Sequence, residues 1–206
     1  KFASSTIAGK LIATANSGSI TQTGALSLGA DGNSFSTSGA SKAITLNAAN
    51  LFGSNTVAFN SSADTSITAD TLKFATSSIA GKLVATATSG SITQTGALTL
   101  GADGNSFTTS GTSQAITLNA ANAFAGKTVA LNSSADASIT ADTLKFAAST
   151  ISGKLVATAS TGSITQTGAL NLGADGNSFS TAAGQTITLG SANVLNNKTV
   201  ALNSGG

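Results

Sequence analysis

The sequence predicts an all-β protein, a right-handed parallel β-helix (β-solenoid), and three observations support this prediction. The chain repeats itself with a period of about 72 residues. A finer period of about 24 residues runs inside each repeat. Short apolar and β-branched segments alternate throughout with turns rich in Gly, Asn, Ser and Asp, which is the pattern of stacked short strands rather than of helices.

The long period is visible in identical segments. The tripeptide Lys-Phe-Ala begins at Lys1, Lys73 and Lys145, and the segment GSITQTGAL begins at Gly18, Gly90 and Gly162. We therefore predict one β-solenoid segment over residues 1–206 with sequence repeats 1–72, 73–144 and 145–206, the last of them truncated.

The finer period is marked by eight isoleucines, each followed by a threonine. They are Ile20, Ile44, Ile67, Ile92, Ile116, Ile139, Ile164 and Ile187. Successive isoleucines are roughly 24 residues apart, which predicts three coils in each 72-residue repeat. Ile20, Ile44, Ile67 and Ile92 are then expected to stack in one interior column, in a rod roughly 41 Å long at about 4.8 Å per coil.

Turns and handedness follow from local chemistry. The Asp-Gly-Asn segments that begin at Asp31, Asp103 and Asp175 predict turns in which the glycine takes a positive φ. Right-handed coils are expected because crossovers between parallel strands are almost always right-handed.

Composition excludes several kinds of chemistry. Only 8% of the residues are charged, His and Cys are absent, every basic residue is Lys and every acidic residue is Asp. Without His or Cys there is no Ser-His-Asp triad, no thiolate nucleophile and no imidazole or thiolate metal site. We expect a protein that is not an enzyme, with no catalytic, cofactor-binding or metal-binding residues and no cofactor.

Charge and hydropathy bear on the partners. The net charge is only +2, from scattered lysines and aspartates, so no nucleic-acid partner is expected. No apolar run approaches the roughly 18 residues that a membrane span needs, so no membrane insertion is expected.

The segments GSITQTGALTLGADGNSFTTSG and AITLNAANAFAGKTVALNSSADASITADTLKFAASTISGKLVATA resemble the repeats of filamentous-haemagglutinin-like bacterial exoproteins and adhesins, many of them exported by two-partner secretion. The resemblance covers essentially the whole chain. It implies a right-handed β-helix in a long extracellular rod on the bacterial cell surface, used for attachment or for building a matrix. No segment resembles the amino-terminal export cap of those proteins.

The resemblance also suggests partners, which are host-cell or matrix surfaces and the protein itself. Both ends are expected to expose open β edges without a cap, so that a further coil of a longer chain, or an identical subunit, stacks end to end.

An ice-binding solenoid is one alternative. The threonines after the marker isoleucines predict an outward column of Thr21, Thr45, Thr68, Thr93, Thr117, Thr140, Thr165 and Thr188. A second outward rank, two positions further on, keeps Thr only in every third coil. Stacked Thr of high β-propensity is therefore the favoured interpretation.

A carbohydrate-binding or lyase-type β-helix is the other alternative. Asp64 with Asp70 and Asp136 with Asp142 are the close acid pairs, and we interpret them as solvated corner residues. The Asp31-type turns come once per repeat, which is too sparse for a repeat-type calcium site.

Two features remain open. Gln22, Gln94 and Gln166 lie where alternation points them inward, so either the strand ends before them or a Gln is buried. Asn60, Asn132 and Asn197 match the N-glycosylation pattern, at a frequency close to chance in so Asn-, Ser- and Thr-rich a chain.

Overall fold

A computed structural model describes residues 1–205, which contain 24 strands and no helix. In chain order the strands are β1 (Ser5–Ile7), β2 (Ile12–Ala15), β3 (Ile20–Thr21), β4 (Leu26–Leu28), β5 (Asn33–Thr37), β6 (Ile44–Asn50), β7 (Thr56–Ser61), β8 (Thr65–Ala69), β9 (Leu72–Phe74), β10 (Ser77–Ile79), β11 (Leu83–Ala87), β12 (Ile92–Gln94), β13 (Leu98–Leu100), β14 (Asn105–Thr109), β15 (Ile116–Asn122), β16 (Thr128–Ser133), β17 (Ala137–Ala141), β18 (Leu144–Phe146), β19 (Ser149–Ile151), β20 (Leu155–Ala159), β21 (Ile164–Gln166), β22 (Leu170–Leu172), β23 (Asn177–Ala183) and β24 (Val200–Gly205).

Nearly all of these strands belong to two parallel sheets that enclose one core. The twelve-strand sheet contains β2, β5, β7, β9, β10, β12, β13, β15, β17, β20, β23 and β24. The ten-strand sheet contains β3, β6, β8, β11, β14, β16, β18, β19, β21 and β22, while β1 pairs with β4. The chain passes from one sheet to the other and back, so each passage makes half a turn. The predicted parallel β-solenoid is confirmed, and its right-handedness stays a prediction.

The turn is shorter than the sequence predicted. β3 and β21 hold the same segment of the repeat, from Ile20 and Ile164, and seven pairing steps separate them in the ten-strand sheet. A turn therefore takes about 21 residues, and the chain makes about 10 turns. Two repeats fill seven turns and one repeat fills three and a half, so the expectation of three 24-residue coils per repeat is wrong.

Unequal corners explain this error. From Ile20 to Ile44 the chain makes one full turn. From Ile67 to Ile92 a similar length of chain makes one and a half turns, because the corners flanking β8 are short and Thr65 already lies beside Leu83 in the next turn. The isoleucines are therefore almost equally spaced in the sequence although the number of turns between successive ones differs.

The half-integer repeat places equivalent segments on opposite sheets. The segment that forms β3 in the first repeat and β21 in the third lies in the ten-strand sheet, whereas its second copy, β12, lies in the twelve-strand sheet. The molecule therefore has an approximate internal screw symmetry, a half rotation combined with an advance of three and a half turns, or about 17 Å at about 4.8 Å per turn.

The predicted isoleucine column is accordingly divided. Ile20 pairs with Ile44 in the ten-strand sheet, Ile67 lies beside Leu46 there, and Ile92 lies in the twelve-strand sheet. All four isoleucines are nonetheless buried in a single hydrophobic core. The single column is wrong, and the interior placement is confirmed.

The core is built by strict alternation along the strands, with buried side chains at every second position. Phenylalanine contributes more than its low frequency suggested, because eight of the nine are almost wholly buried. Phe35 and Phe59 stack in adjacent turns at 5.7 Å between ring centroids, and Phe74 meets Phe107 edge-on at 6.2 Å. The predicted Asp-Gly-Asn turns are confirmed, since Gly32, Gly104 and Gly176 have φ between 83° and 88°.

Replacing Ile92 by Asp is expected to unfold several turns together, because it buries an unpaired charge between Leu72 and Ile116 at a cost of several kcal/mol. Thermal and urea unfolding followed by circular dichroism would measure the loss. Thr93→Asp is the matched control, since Thr93 faces outward beside Lys73 and should leave the unfolding transition nearly unchanged. Equal transitions for Ile92→Asp and the parent protein would contradict the core assignment.

Candidate functional surfaces

The predicted column of eight threonines does not form. Thr21 and Thr45 are neighbours in the ten-strand sheet, but the next outward side chain in that ladder is Ser66. Thr93 lies on the opposite sheet, beside Lys73. Since the marker threonines are distributed over two faces, neither face carries an unbroken rank of them, which weakens the basis for an ice-binding surface.

Instead, two patches of small outward side chains are present, and in each patch four neighbouring strands contribute one pair of residues. The ten-strand patch consists of the pairs Ser66 and Thr68, Val84 and Thr86, Ser106 and Thr108, and Ala130 and Asn132. The twelve-strand patch consists of the pairs Ser138 and Thr140, Val156 and Thr158, Ser178 and Ser180, and Ala201 and Asn203. The second patch is the repeat equivalent of the first, and the half-integer repeat brings it to the opposite face.

Charge is confined almost entirely to the edges of the solenoid. Of the nine lysines and seven aspartates, only Lys73 in β9 and Lys145 in β18 lie within a strand. These two lysines are repeat equivalents and lie on opposite sheets. Each broad face therefore carries one lysine, and most of its other outward side chains are Ser, Thr, Asn, Ala or Val.

All seven aspartates tie neighbouring turns together at these edges. In each case a carboxylate oxygen accepts a backbone N–H from an adjacent turn at 2.7 to 3.0 Å. The acceptor and donor pairs are Asp31 with Thr56, Asp64 with Lys82, Asp70 with Phe52, Asp103 with Thr128, Asp136 with Lys154, Asp142 with Phe124, and Asp175 with Thr199. The sequence placed these residues at corners but did not reveal this role.

The close acid pairs of the sequence are separated in space. Asp64 precedes β8 and Asp70 follows it, so they lie at opposite edges of the solenoid, on the order of 16 Å apart for a five-residue strand. Asp136 and Asp142 flank β17 in the same way. Within residues 1–205 no group of three potential His, Cys, Asp or Glu metal ligands occurs. Lys154 and Asp136 approach to 3.9 Å in an exposed ion pair, a contact that contributes little to stability.

Three of the aspartates have perturbed acidity. The backbone N–H of Thr56 holds the pKa of Asp31 below its usual value of 3.8, because the hydrogen bond stabilises the ionised carboxylate. Thr128 lowers the pKa of Asp103 and Thr199 lowers that of Asp175 in the same way. These shifts come from hydrogen bonding at a turn.

The glutamines left open by the sequence take part in amide pairs inside the sheets. Gln94 is half-buried at the end of β12 and exchanges two hydrogen bonds with the buried Asn122, at 2.9 and 3.0 Å. Asn122 also accepts the N–H of Leu98 and donates to the carbonyl oxygens of Leu118 and Thr140. One amide therefore satisfies backbone groups in three successive turns. Gln22 with Asn50 and Gln166 with Asn193 repeat the arrangement.

Of the glycosylation-pattern asparagines, Asn60 and Asn132 are repeat equivalents on opposite sheets, whereas Asn197 lies outside the strands. Asn60 is exposed at the end of β7, Asn132 is half-buried in β16, and Asn197 lies in a turn with a positive φ of 63°. Asn132 belongs to the ten-strand patch, so a glycan there would project from a broad face.

The last turn leaves an apolar cavity of about 220 Å³, lined by residues that include Leu170, Phe179, Leu195 and Leu202. Leu202 is 56% exposed, whereas its repeat equivalent Leu131 is fully buried beneath the following turn. No helix among residues 1–205 is long and apolar enough to cross a membrane.

These features define a tandem-repeat β-solenoid in which every carboxylate accepts a backbone hydrogen bond from a neighbouring turn. The family model for repeats of unknown function (DUF5649) matches residues 1–58, 62–131 and 134–203, nearly the whole chain, and the chain belongs to this family. The second and third matched segments start one full sequence repeat apart. Searches among curated proteins and among solved structures returned no match.

Replacing Asn122 by Ala is expected to destabilise the protein by roughly 2 to 4 kcal/mol, because it leaves the buried N–H of Leu98, the buried carbonyl of Leu118 and the part-buried carbonyl of Thr140 without this partner. Urea unfolding would measure the change. The matched control is Asn171→Ala, since Asn171 is exposed on the ten-strand face and its removal should change stability by less than about 0.5 kcal/mol. Equal effects of the two substitutions would contradict the role given to the amide pair.

The lowered pKa values of Asp31, Asp103 and Asp175 predict a loss of stability in acid. A carboxyl whose pKa is lower in the folded than in the unfolded state stabilises above the unfolded value and loses that contribution as the pH falls through the folded value. The urea concentration at the midpoint of unfolding should therefore decrease as the pH is lowered below about 4. A triple Asp→Asn variant keeps the amide oxygen as acceptor and should show a smaller fall. An identical pH profile for variant and parent would contradict the assignment.

Proposed function

We propose that this chain is a non-enzymatic structural segment of a secreted bacterial surface protein, a rigid rod used for attachment or for building an extracellular matrix. The observation that carries the proposal is the use of all seven carboxylates as hydrogen-bond acceptors between turns. In a chain without His, Cys or Glu, carboxylates are the main candidates for acid-base work. Here they hold the rod together.

The repetition of the same surface features in each repeat supports a spacer or scaffold rather than an enzyme such as a lyase-type β-helix. Catalytic β-helices would need acids brought together beside an irregular loop, whereas Asp64 and Asp70 lie at opposite edges. The same corners, patches and amide pairs return in each repeat. This repetition favours a function that depends on length and surface area.

We also propose an extracellular location and membership of the adhesin class, on the basis of the resemblance to filamentous-haemagglutinin-like exoproteins. The fold and the repeat family are compatible with that class. The partner proposed with it is a further coil of the same repeat, because one turn of this repeat covers the apolar residues of its neighbour, as the full burial of Leu131 shows.

Inserting further copies of residues 73–144 tests the rod. Each copy should lengthen the particle by about 17 Å at constant cross-section, since one repeat fills three and a half turns of about 4.8 Å. Small-angle scattering of proteins with one, two and three inserted copies would measure the maximum dimension. A dimension that stops growing, or a cross-section that widens in the monomer, would contradict the rod.

The location has its own test. Antibodies raised against the chain should label intact cells of the source organism, and external protease should remove the label. Labelling only after lysis would refute the surface location and leave the rod unaffected.

A further inference from the structure

The two broad faces of the solenoid share one feature, a patch of small uncharged side chains that is present on both. The ten-strand and twelve-strand patches present the same ladders of small side chains in opposite directions. Their residues are exposed or half-exposed. Two of the four large exposed hydrophobic side chains, Ile12 and Val194, also lie on these faces.

We propose that these faces are lateral docking surfaces for a second copy of this chain, with the ten-strand face of one rod packing against the twelve-strand face of the next, their axes parallel. The inference rests on the proposed rod and adds to it a side-by-side contact between rods.

Spacing favours a second copy as the occupant. Outward side chains recur along each face at the spacing of hydrogen-bonded strands, about 4.8 Å. Another solenoid of the same kind has the same spacing and can match every rung, so that small side chains of one ladder fit between those of the other, as in dry interfaces between stacked sheets.

Area and charge favour the same occupant. About ten turns of about 4.8 Å, crossed by strands of about five residues, give each face on the order of 800 Å², the area per partner of a standard protein interface. Ser, Thr, Ala and Val lose little rotamer freedom on burial. Apart from Lys73 and Lys145, which lie on the faces but outside the two patches, the charged residues lie at the edges and remain in solvent when the faces meet.

The internal screw symmetry determines the kind of assembly. Since equivalent patches point in opposite directions, a rod that has used one face still offers the other. A contact between unlike faces is heterologous and does not close, so it builds a row of parallel rods rather than a dimer.

Two single-face variants test this. Thr86→Lys places a charge in the ten-strand patch, and Thr158→Lys places it at the equivalent position of the twelve-strand patch. Lys73 and Lys145 occupy outward strand positions outside the two patches, so these sheets accommodate an outward lysine without loss of the fold. Ser89→Lys, in an exposed corner outside both faces, is the control for added charge.

The parent protein and Ser89→Lys should form concentration-dependent oligomers in sedimentation velocity, and electron microscopy should show rods side by side. Each face variant alone should remain a monomer with an unaltered melting transition. A mixture of the two variants should form a one-to-one dimer, because one variant keeps the ten-strand face and the other keeps the twelve-strand face. Thr108→Lys and Ser180→Lys provide a second pair for the same mixing experiment if either first variant melts early.

Three results would overturn the lateral contact. They are a parent protein that stays monomeric at its highest soluble concentration, a Thr86→Lys variant that still associates alone, and a monomer that co-sediments with powdered cellulose or chitin through these faces. Rods that lengthen with inserted repeats yet remain monomeric would refute the lateral contact while leaving the proposed rod intact.

Discussion

Backbone hydrogen bonding between successive turns is the constraint on which the rest of this structure depends. Every strand pairing is parallel, and each turn takes its neighbours' amide and carbonyl groups as its own partners. The inward-facing residues of each strand must therefore align with those of the next turn, because a slip of one residue would expose every core residue of that strand. The narrow core of Ile, Leu, Val, Ala and stacked Phe follows from that requirement.

At the corners the backbone leaves the strand pairing, and polar side chains there accept or donate the hydrogen bonds that the neighbouring strand would otherwise supply. The aspartates cap free amides at the edges, and the amide pairs bridge irregular positions where the pairing register shifts between Leu118 and Asn122. Asn105 does the same at the entrance to β14, since it accepts the N–H of Leu83 and donates to the carbonyl oxygen of Thr128. Few buried polar atoms remain unsatisfied. Among the described residues the hydroxyl of Thr65 is the one without a partner, and its repeat equivalent is Ala137.

Much of the fold could be predicted from the sequence because the repeat and the alternation of apolar residues report directly on strands that stack. The number of turns could not, because it depends on corner length, and a corner such as that between β8 and β9 is too short to stand out in the sequence. The role of the aspartates was equally hidden. Asp31 bonds to Thr56, and a contact between neighbouring turns becomes predictable only when the length of the turn is known. One feature of the sequence could have revealed the pairing of Gln94 with Asn122, namely their separation of 28 residues, which Gln22 and Asn50 share and which is 27 for Gln166 and Asn193.

Because each repeat makes three and a half turns, the direction in which the chain leaves the solenoid depends on whether the number of repeats is odd or even. Adding or removing one 72-residue unit turns everything beyond it through half a revolution, whereas adding or removing two restores the original direction. Gain or loss of one repeat changes that number by one. A single such event would therefore reverse the side of the rod on which any following part of the chain is displayed, without altering one residue of that part.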